Sequence, residues 1–223
     1  MYWKDEGFLL FKSNYSENSI LIETFTLNHG KYTGIVYGGS SRKQKKNFQI
    51  GNKILLNWKS KSENKTGYFN IELIKAISPL FFDDKKKSAC ILSASTILKI
   101  LLPERQINKK IFNSFEKLLE ELNTKDWIKS YINWELLLIK ELGYEINFAN
   151  KVKMNNKVKS SIELNNKYFE IPKFLLDNNE NKISNNDIRE ALIFNKNIIM
   201  ENFILPNQLR FPLSRNILEN YFN

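Results

Sequence analysis

Basic residues are concentrated in one short stretch of the sequence. Four of them follow a glycine- and serine-rich run at positions 38–41: Arg42, Lys43, Lys45 and Lys46. Cationic side chains neutralise phosphate groups, and each neutralised phosphate releases a condensed counterion. This basic stretch therefore points to a polyanionic partner.

Residues on either side extend the candidate site. Lys31 and Tyr37 lie in the strand-like run before the basic stretch, and Lys59 and Lys61 lie in or just after the next run. A basic groove with aromatic side chains can follow a single-stranded backbone while bases stack on the rings. The predicted DNA-binding set is Lys31, Tyr37, Arg42, Lys43, Lys45, Lys46, Lys59 and Lys61. A solvated lysine loop in a lysine-rich protein is the alternative interpretation.

The basic charge is uneven along the chain. The net formal charge is +10, and residues 1–80 hold 12 Lys or Arg against 6 Asp or Glu. Residues 81–150 are nearly balanced, with 11 basic against 10 acidic residues. An AT-rich genome can inflate lysine content, so the distribution of charge is more informative than its total.

The sequence lacks the common catalytic and cofactor motifs. It contains no phosphate-binding loop, dinucleotide fingerprint, nucleophile elbow or His-Glu-x-x-His pair. His29 is the only histidine and Cys90 the only cysteine, so the chain supplies neither a Cys/His zinc cage nor an intramolecular disulfide. We therefore expect no catalytic residues, no cofactor and no metal, and we rank an enzyme such as a nuclease below binding functions.

The elements that must position the basic stretch are strands. Five runs with strand-like composition, several of them alternating, occupy residues 7–12, 19–26, 31–37, 53–59 and 68–75, and turn residues separate them. Five short antiparallel strands without a long helix predict a small barrel such as an OB-fold. An SH3-like barrel fits the pattern nearly as well.

Helical periodicity begins after Pro79. Helices are predicted over residues 86–102, over the apolar stripe 111–122, and over 127–142 with Thr124 as N-cap and Gly143 as terminator. Ser184 and Asp187 resemble a capping box that opens a last long helix through about residue 203, and residues 214–221 are predicted to add another turn or two.

The predicted fold class is therefore α+β. An OB-fold domain is expected over residues 1–79 and a helical domain over residues 80–223, with an irregular or hairpin excursion at about 145–183. No run of about eighteen apolar residues and no leader-like start is found, so we expect a cytoplasmic protein.

The order of several residues resembles the RecO family of DNA repair and recombination mediator proteins. Residues 3–10 are similar to that family's first strand, and residues 101–105, 134–137 and 141–144 are similar to its helical domain, most closely in alphaproteobacterial members. The resemblance covers about residues 1–145 and is weak beyond them.

This resemblance implies a non-enzymatic function on DNA. Members bind single-stranded DNA, with double-stranded DNA as a further candidate partner, and anneal complementary strands coated by single-strand-binding protein. They work with RecR to help RecA load, and they bind the acidic C-terminal tail of single-strand-binding protein. A nucleoid-associated location would follow.

The chain departs from the family pattern in one region. Many members carry a cysteine zinc module after the helical domain's Leu-Gly-Tyr end, whereas residues 149–177 contain no cysteine. We expect this excursion to be held by packing of Val158, Ile162, Leu164, Tyr168, Phe169 and Ile171. The alternative function is a protein-interaction adaptor whose barrel binds an acidic peptide tail.

Replacing the four residues of the basic stretch by Gln should weaken binding to every single-stranded sequence. The slope of log affinity against log salt should flatten by up to about 2–3, because each phosphate contact contributes about 0.7. Salt titration by fluorescence anisotropy measures this slope. The control removes the same charge at Lys85, Lys86, Lys87 and Lys99, and an equal loss in both variants would assign the effect to bulk charge.

Overall fold

A computed structural model of the chain describes residues 1–41, 48–62, 66–144, 146, 151–154, 157–176 and 183–223. The N-terminal part forms a closed five-stranded barrel. Its strands are β1 (Tyr2–Ser16), β2 (Ser19–Thr26), β3 (Gly30–Tyr37), β4 (Lys53–Lys59) and β5 (Gly67–Lys75).

The strand order identifies the barrel type. The order is β1-β2-β3-β5-β4, with β4 paired back to β1, and β3 and β5 are parallel. This is the Greek-key barrel expected of an OB-fold. The prediction of an OB-fold followed by helices is confirmed, and a 3₁₀ turn (Ser78–Phe81) leads into the helical part.

Strand β1 is longer than the predicted run of residues 7–12, because it pairs with two neighbouring strands. Residues 2–8 pair with β4 and residues 7–16 pair with β2. The register shifts between Leu9 and Phe11, where the strand bends from one partner to the other. At the crossing, a Cβ on Gly7 would lie 2.7 Å from the carbonyl oxygen of Phe25, so a side chain there would not fit without a shift.

Three helices follow, close to the predicted bounds: α1 (Lys85–Leu101), α2 (Lys109–Glu121) and α3 (Trp127–Glu141). Phe8 points away from the barrel interior, and its ring lies 5.1 Å from both Phe112 and Phe115 of α2. Fully burying an aromatic ring of this size contributes about 1.5–3 kcal/mol. The apolar stripe of α2 is therefore packed against the barrel.

The predicted ends of α3 were half right. Thr124 does not cap this helix, because its hydroxyl donates to the carbonyl of Glu121 and so closes the end of α2. Asp126 precedes α3 instead. Gly143 has a φ of +99°, and the Tyr144 amide donates to Ile139 at 3.1 Å, so the predicted glycine terminator is confirmed.

The excursion is a small antiparallel sheet of three strands: β6 (Lys151–Met154), β7 (Lys157–Leu164) and β8 (Lys167–Glu170). The sequence predicted an irregular or hairpin excursion here, and the third strand, β6, was not expected. Ile162 and Ile171 are buried as expected, whereas Tyr168 is 47% exposed and does not join their packing. A short helix, α4 (Lys173–Leu176), follows the sheet.

The C-terminal helices are α5 (Asn185–Ile199) and α6 (Leu213–Asn220), with a π-helical turn (Met200–Ile204) continuing α5. Ser184 accepts from the Asp187 amide while the Asp187 carboxylate accepts from the Ser184 amide, so the predicted capping box is confirmed. Hydrogen bonds from Ser184 hold the pKa of Asp187 below its ordinary value.

The chain divides into two compact units, Met1–Leu119 and Glu120–Asn223. The first contains the barrel, α1 and most of α2, and the second contains the remaining elements. The boundary at residue 79 stays a prediction about domain organisation.

A buried ion pair lies inside the second unit. Arg215 is fully buried, and its Nε donates to Glu135 at 2.6 Å. The other carboxylate oxygen of Glu135 accepts from Asn195 at 3.1 Å, and the Tyr131 hydroxyl donates to the first at 2.7 Å. Such a network is stabilising only while both charges are present.

Replacing Arg215 by Met should lower the free energy of unfolding by about 3–5 kcal/mol, because the Glu135 carboxylate is left buried without its cation. The double variant Arg215→Met/Glu135→Leu should recover much of this loss. Urea unfolding measures both, with the exposed Arg210→Met as control. A single variant as stable as the wild type would contradict this assignment.

Candidate nucleic-acid interface

The structure brings together three residues of the predicted DNA-binding set. Tyr37, Lys59 and Lys61 are exposed, and all three lie around Tyr68 on the barrel. The basic stretch, Arg42, Lys43, Lys45 and Lys46, lies outside the described residues. Its assignment to DNA binding stays a prediction.

Lys31 is placed differently from the rest of the predicted set. It is buried, and its ammonium donates to the backbone carbonyl of Lys99 at 2.6 Å. Burial lowers the pKa of Lys31. The Lys99 ammonium pairs with the Glu23 carboxylate at 3.2 Å, so replacing Lys99 would also break an ion pair. The exposed Lys109 should therefore take its place in the variant that controls for charge loss in the basic stretch.

Four side chains on neighbouring strands form a continuous exposed line, here called the tyrosine row: Tyr2, Lys59, Tyr68 and Tyr37. Lys59 lies directly opposite Tyr2 in the β1–β4 pair and opposite Tyr68 in the β4–β5 pair. Opposed residues of paired strands share one face of the sheet. The rings of Tyr37 and Tyr68 stack with 5.0 Å between centroids, which completes the row.

The rings of the tyrosine row are available for contact. Tyr2, Tyr37 and Tyr68 are 60%, 65% and 40% exposed, so burial in the core does not account for them. The Lys59 ammonium lies 5.7 Å from the ring centroid of Tyr2, within cation–π distance. Sequence reasoning found Tyr37 and missed Tyr2 and Tyr68, although the alternation of Tyr68 with buried Phe69 was a usable signal.

One hydroxyl of the tyrosine row, that of Tyr37, has a shifted pKa. A hydrogen bond with Tyr68 raises the pKa of Tyr37 above its ordinary value. An uncharged Tyr37 does not repel phosphate, so the row offers aromatic rings and one ammonium to a polyanion.

Charge changes along the same face of the barrel. The next line across the strands is Lys4, Asn57 and Asn70, which is polar and basic. The line after that contains Glu6 and Glu72 on either side of Leu55. The favourable surface for an anion therefore lies in the first two lines.

Beside Tyr2, the mouth of the barrel is lined by aromatic rings. Trp3 stacks on His29 with 4.2 Å between centroids and on Trp58 with 5.5 Å. Tyr32 meets Trp3 and Trp58 edge-on at 5.1 and 5.4 Å. Inward-pointing residues of β1, β3 and β4 thus converge there.

Asp5 fixes the turn that carries His29. Its carboxylate accepts from the His29 ring at 2.9 Å, from the Asn28 amide at 2.8 Å and from the Asn28 side chain at 2.9 Å. Burial raises the pKa of Asp5, but the hydrogen bonds from His29 and Asn28 outweigh it and hold the pKa below its ordinary value.

The residues that the structure describes contain neither a metal-binding cluster nor a membrane-spanning helix. No group of three or more His, Cys, Asp or Glu side chains in this part of the chain could hold a metal ion. No helix there has the length and apolar character that crossing a membrane requires.

Two family models match the sequence. The model described as "Recombination protein O N terminal" matches residues 1–77, and that described as "Recombination protein O C terminal" matches residues 83–194. The first match covers the whole barrel.

Curated proteins named "DNA repair protein RecO" are similar to the chain. The protein from Wolbachia sp. subsp. Drosophila simulans (strain wRi) is 33% identical over 151 residues, covering 67% of this chain and 62% of the relative. That from Roseobacter denitrificans is 31% identical over 147 residues, covering 66% and 61% respectively. The match therefore spans about three fifths of the length of these relatives.

Replacing Asp5 by Asn should lower the free energy of unfolding at pH 7 by about 1–3 kcal/mol, because the buried donors lose a charged acceptor. A depressed folded-state pKa contributes stability that is present above the unfolded pKa and lost as pH falls through the folded value. The difference from the wild type should therefore shrink below about pH 4.

Urea unfolding at pH 7 and pH 3 measures this change. The exposed Asp83→Asn variant is the matched control, and its effect should be small at both values. An Asp5→Asn effect of the same size at both pH values would show that the charge of Asp5 does not stabilise the turn.

Proposed function

Because this chain belongs to the RecO family of DNA repair and recombination proteins, we propose that it binds single-stranded DNA along the tyrosine row. The observation that carries the proposal is the alternation of exposed rings and a lysine across four adjacent strands: Tyr2, Lys59, Tyr68 and Tyr37. Bases stack on such rings with about 1–3 kcal/mol each, whatever their sequence.

The chemistry of the row suits strand annealing. Stacking engages the faces of the bases, and Lys59 and Lys61 would contact phosphates, so the pairing edges of the bases stay free. A strand held in this way can still pair with its complement. Annealing of complementary strands, with double-stranded DNA as a further ligand, is therefore the proposed activity, and no catalytic turnover is part of it.

The partners proposed for the chain follow from its family. We expect it to act on strands coated by single-strand-binding protein, through the tail of that protein, and to work with RecR in helping RecA load. Such a role would keep the protein on the nucleoid. The basic stretch next to Tyr37 in the sequence would add phosphate contacts.

Replacing Tyr37 and Tyr68 by Ala should weaken binding of a short oligo(dT) by about 5- to 150-fold for each stacked base lost. Both rings are exposed, so the melting temperature should change little. Fluorescence anisotropy at fixed salt measures the affinity, and strand annealing should fall with it.

The control is Tyr168→Ala, since this tyrosine on β8 in the other unit is also exposed, at 47%. Equal losses in the two variants, or no loss in either, would contradict the proposed site. Loss of binding to an acidic peptide with DNA binding intact would favour the adaptor function instead.

A further inference from the structure

The mouth of the barrel is a cavity that the tyrosine row does not explain. It has a volume of about 590 Å³, which is within the usual range for small-ligand sites. Its walls are the rings of Trp3, His29, Tyr32 and Trp58, with Tyr2 and Arg105 also lining it.

Arg105, which lines this cavity, has a strained backbone conformation. Its φ is +62°, a left-handed conformation that costs a non-glycine residue roughly 1–2 kcal/mol. The conformation is held because the Arg105 amide donates to the carbonyl of Lys31 at 2.9 Å and Glu104 forms a bridge to the same strand. Strained residues that the surrounding structure over-determines cluster at ligand sites.

The packing of this segment on β3 requires a glycine. Gly30 has a φ of +76°, and a Cβ there would lie 2.2 Å from the carbonyl oxygen of Gln106. The segment 104–106 can therefore lie against the backbone of β3. One consequence is that the Arg105 guanidinium lies 5.3 Å from the ring centroid of Tyr32, as a planar cation at the cavity.

The charges around the cavity select an anion with an aromatic ring. Arg105 supplies a permanent positive charge, and none of the described residues that line the cavity is acidic. The Asp5 carboxylate, which is bonded to the His29 ring, is occupied by its hydrogen bonds from Asn28 and His29. A nucleotide combines the ring and the negative charge that these groups favour.

Tyr2 connects this cavity to the tyrosine row, because it belongs to both. We infer that the barrel mouth is a pocket for one unstacked base of the bound strand, with Arg105 against that base or its phosphate. This inference rests on the proposed function and adds a second contact region to it. A strand on the row turns in at Tyr2 and places one base among the rings.

Photo-crosslinking of the full chain tests the pocket. An oligo(dU) carrying 5-iodouracil is bound, irradiated and mapped by mass spectrometry, since this base crosslinks to the aromatic side chain it contacts. Crosslinks are expected at Trp3, His29 or Tyr32, in addition to Tyr37 and Tyr68. Arg105→Gln should reduce the mouth crosslinks by about 2- to 30-fold, the range of a cation–π contact, and leave those of the row unchanged.

Two further variants show whether Arg105 acts through its charge or through its planar guanidinium. Arg105→Lys keeps the charge without the planar guanidinium, so a loss as large as that of Arg105→Gln would indicate stacking rather than simple charge. Arg210→Gln removes an exposed arginine from the other unit and should leave all crosslinks unchanged. The Arg105 variants should reduce oligonucleotide affinity by about 2- to 30-fold, the range of a cation–π contact.

The outcomes distinguish this inference from the proposed function. Crosslinks at Tyr37 and Tyr68 alone, with Arg105→Gln like the wild type, would overturn the base pocket and keep the DNA-binding row. Absence of oligonucleotide binding by the wild type would overturn both. Crosslinks at the row alone, together with protection of the mouth residues by an acidic aromatic peptide, would assign the mouth to a peptide and overturn the pocket.

Discussion

The whole N-terminal unit depends on the double pairing of β1. One part of this strand closes the barrel on β4, and a later part pairs with β2. Alternation along β1 then decides which side each residue faces: Tyr2 and Lys4 point outward, whereas Trp3 and Asp5 point inward. A register slip of one residue would exchange these faces, and would remove the tyrosine row and the aromatic mouth together.

A second dependence runs through the segment after α1. Its close approach to β3 at Gly30 buries Lys31 and fixes Arg105 beside Tyr32. One packing contact therefore decides the roles of two cations that look alike in the sequence. Lys31 becomes part of the structure, while Arg105 stays at a surface where a ligand can reach it.

Two groups of charged residues in the C-terminal unit stabilise its structure. The Glu135–Arg215 pair is fully buried and hydrogen-bonded on several sides. Glu201, in the π-helical turn, accepts from Lys167 at 2.5 Å and from Asn165, and so ties down the turn between β7 and β8. The chain has one cysteine, and the small sheet is stabilised by the contacts of Glu201 and by the buried side chains of Ile162 and Ile171.

The sequence by itself determined the five barrel strands, the long helices and the Ser184 and Gly143 caps, because periodicity and capping are local and act within a few residues. It also found Tyr37 and Lys59 from their place beside the basic stretch. Only the tertiary structure decided that Tyr2 and Tyr68 share a face with them and that Lys31 does not. Those outcomes depend on strand partners and covering segments tens of residues away, which no local pattern encodes.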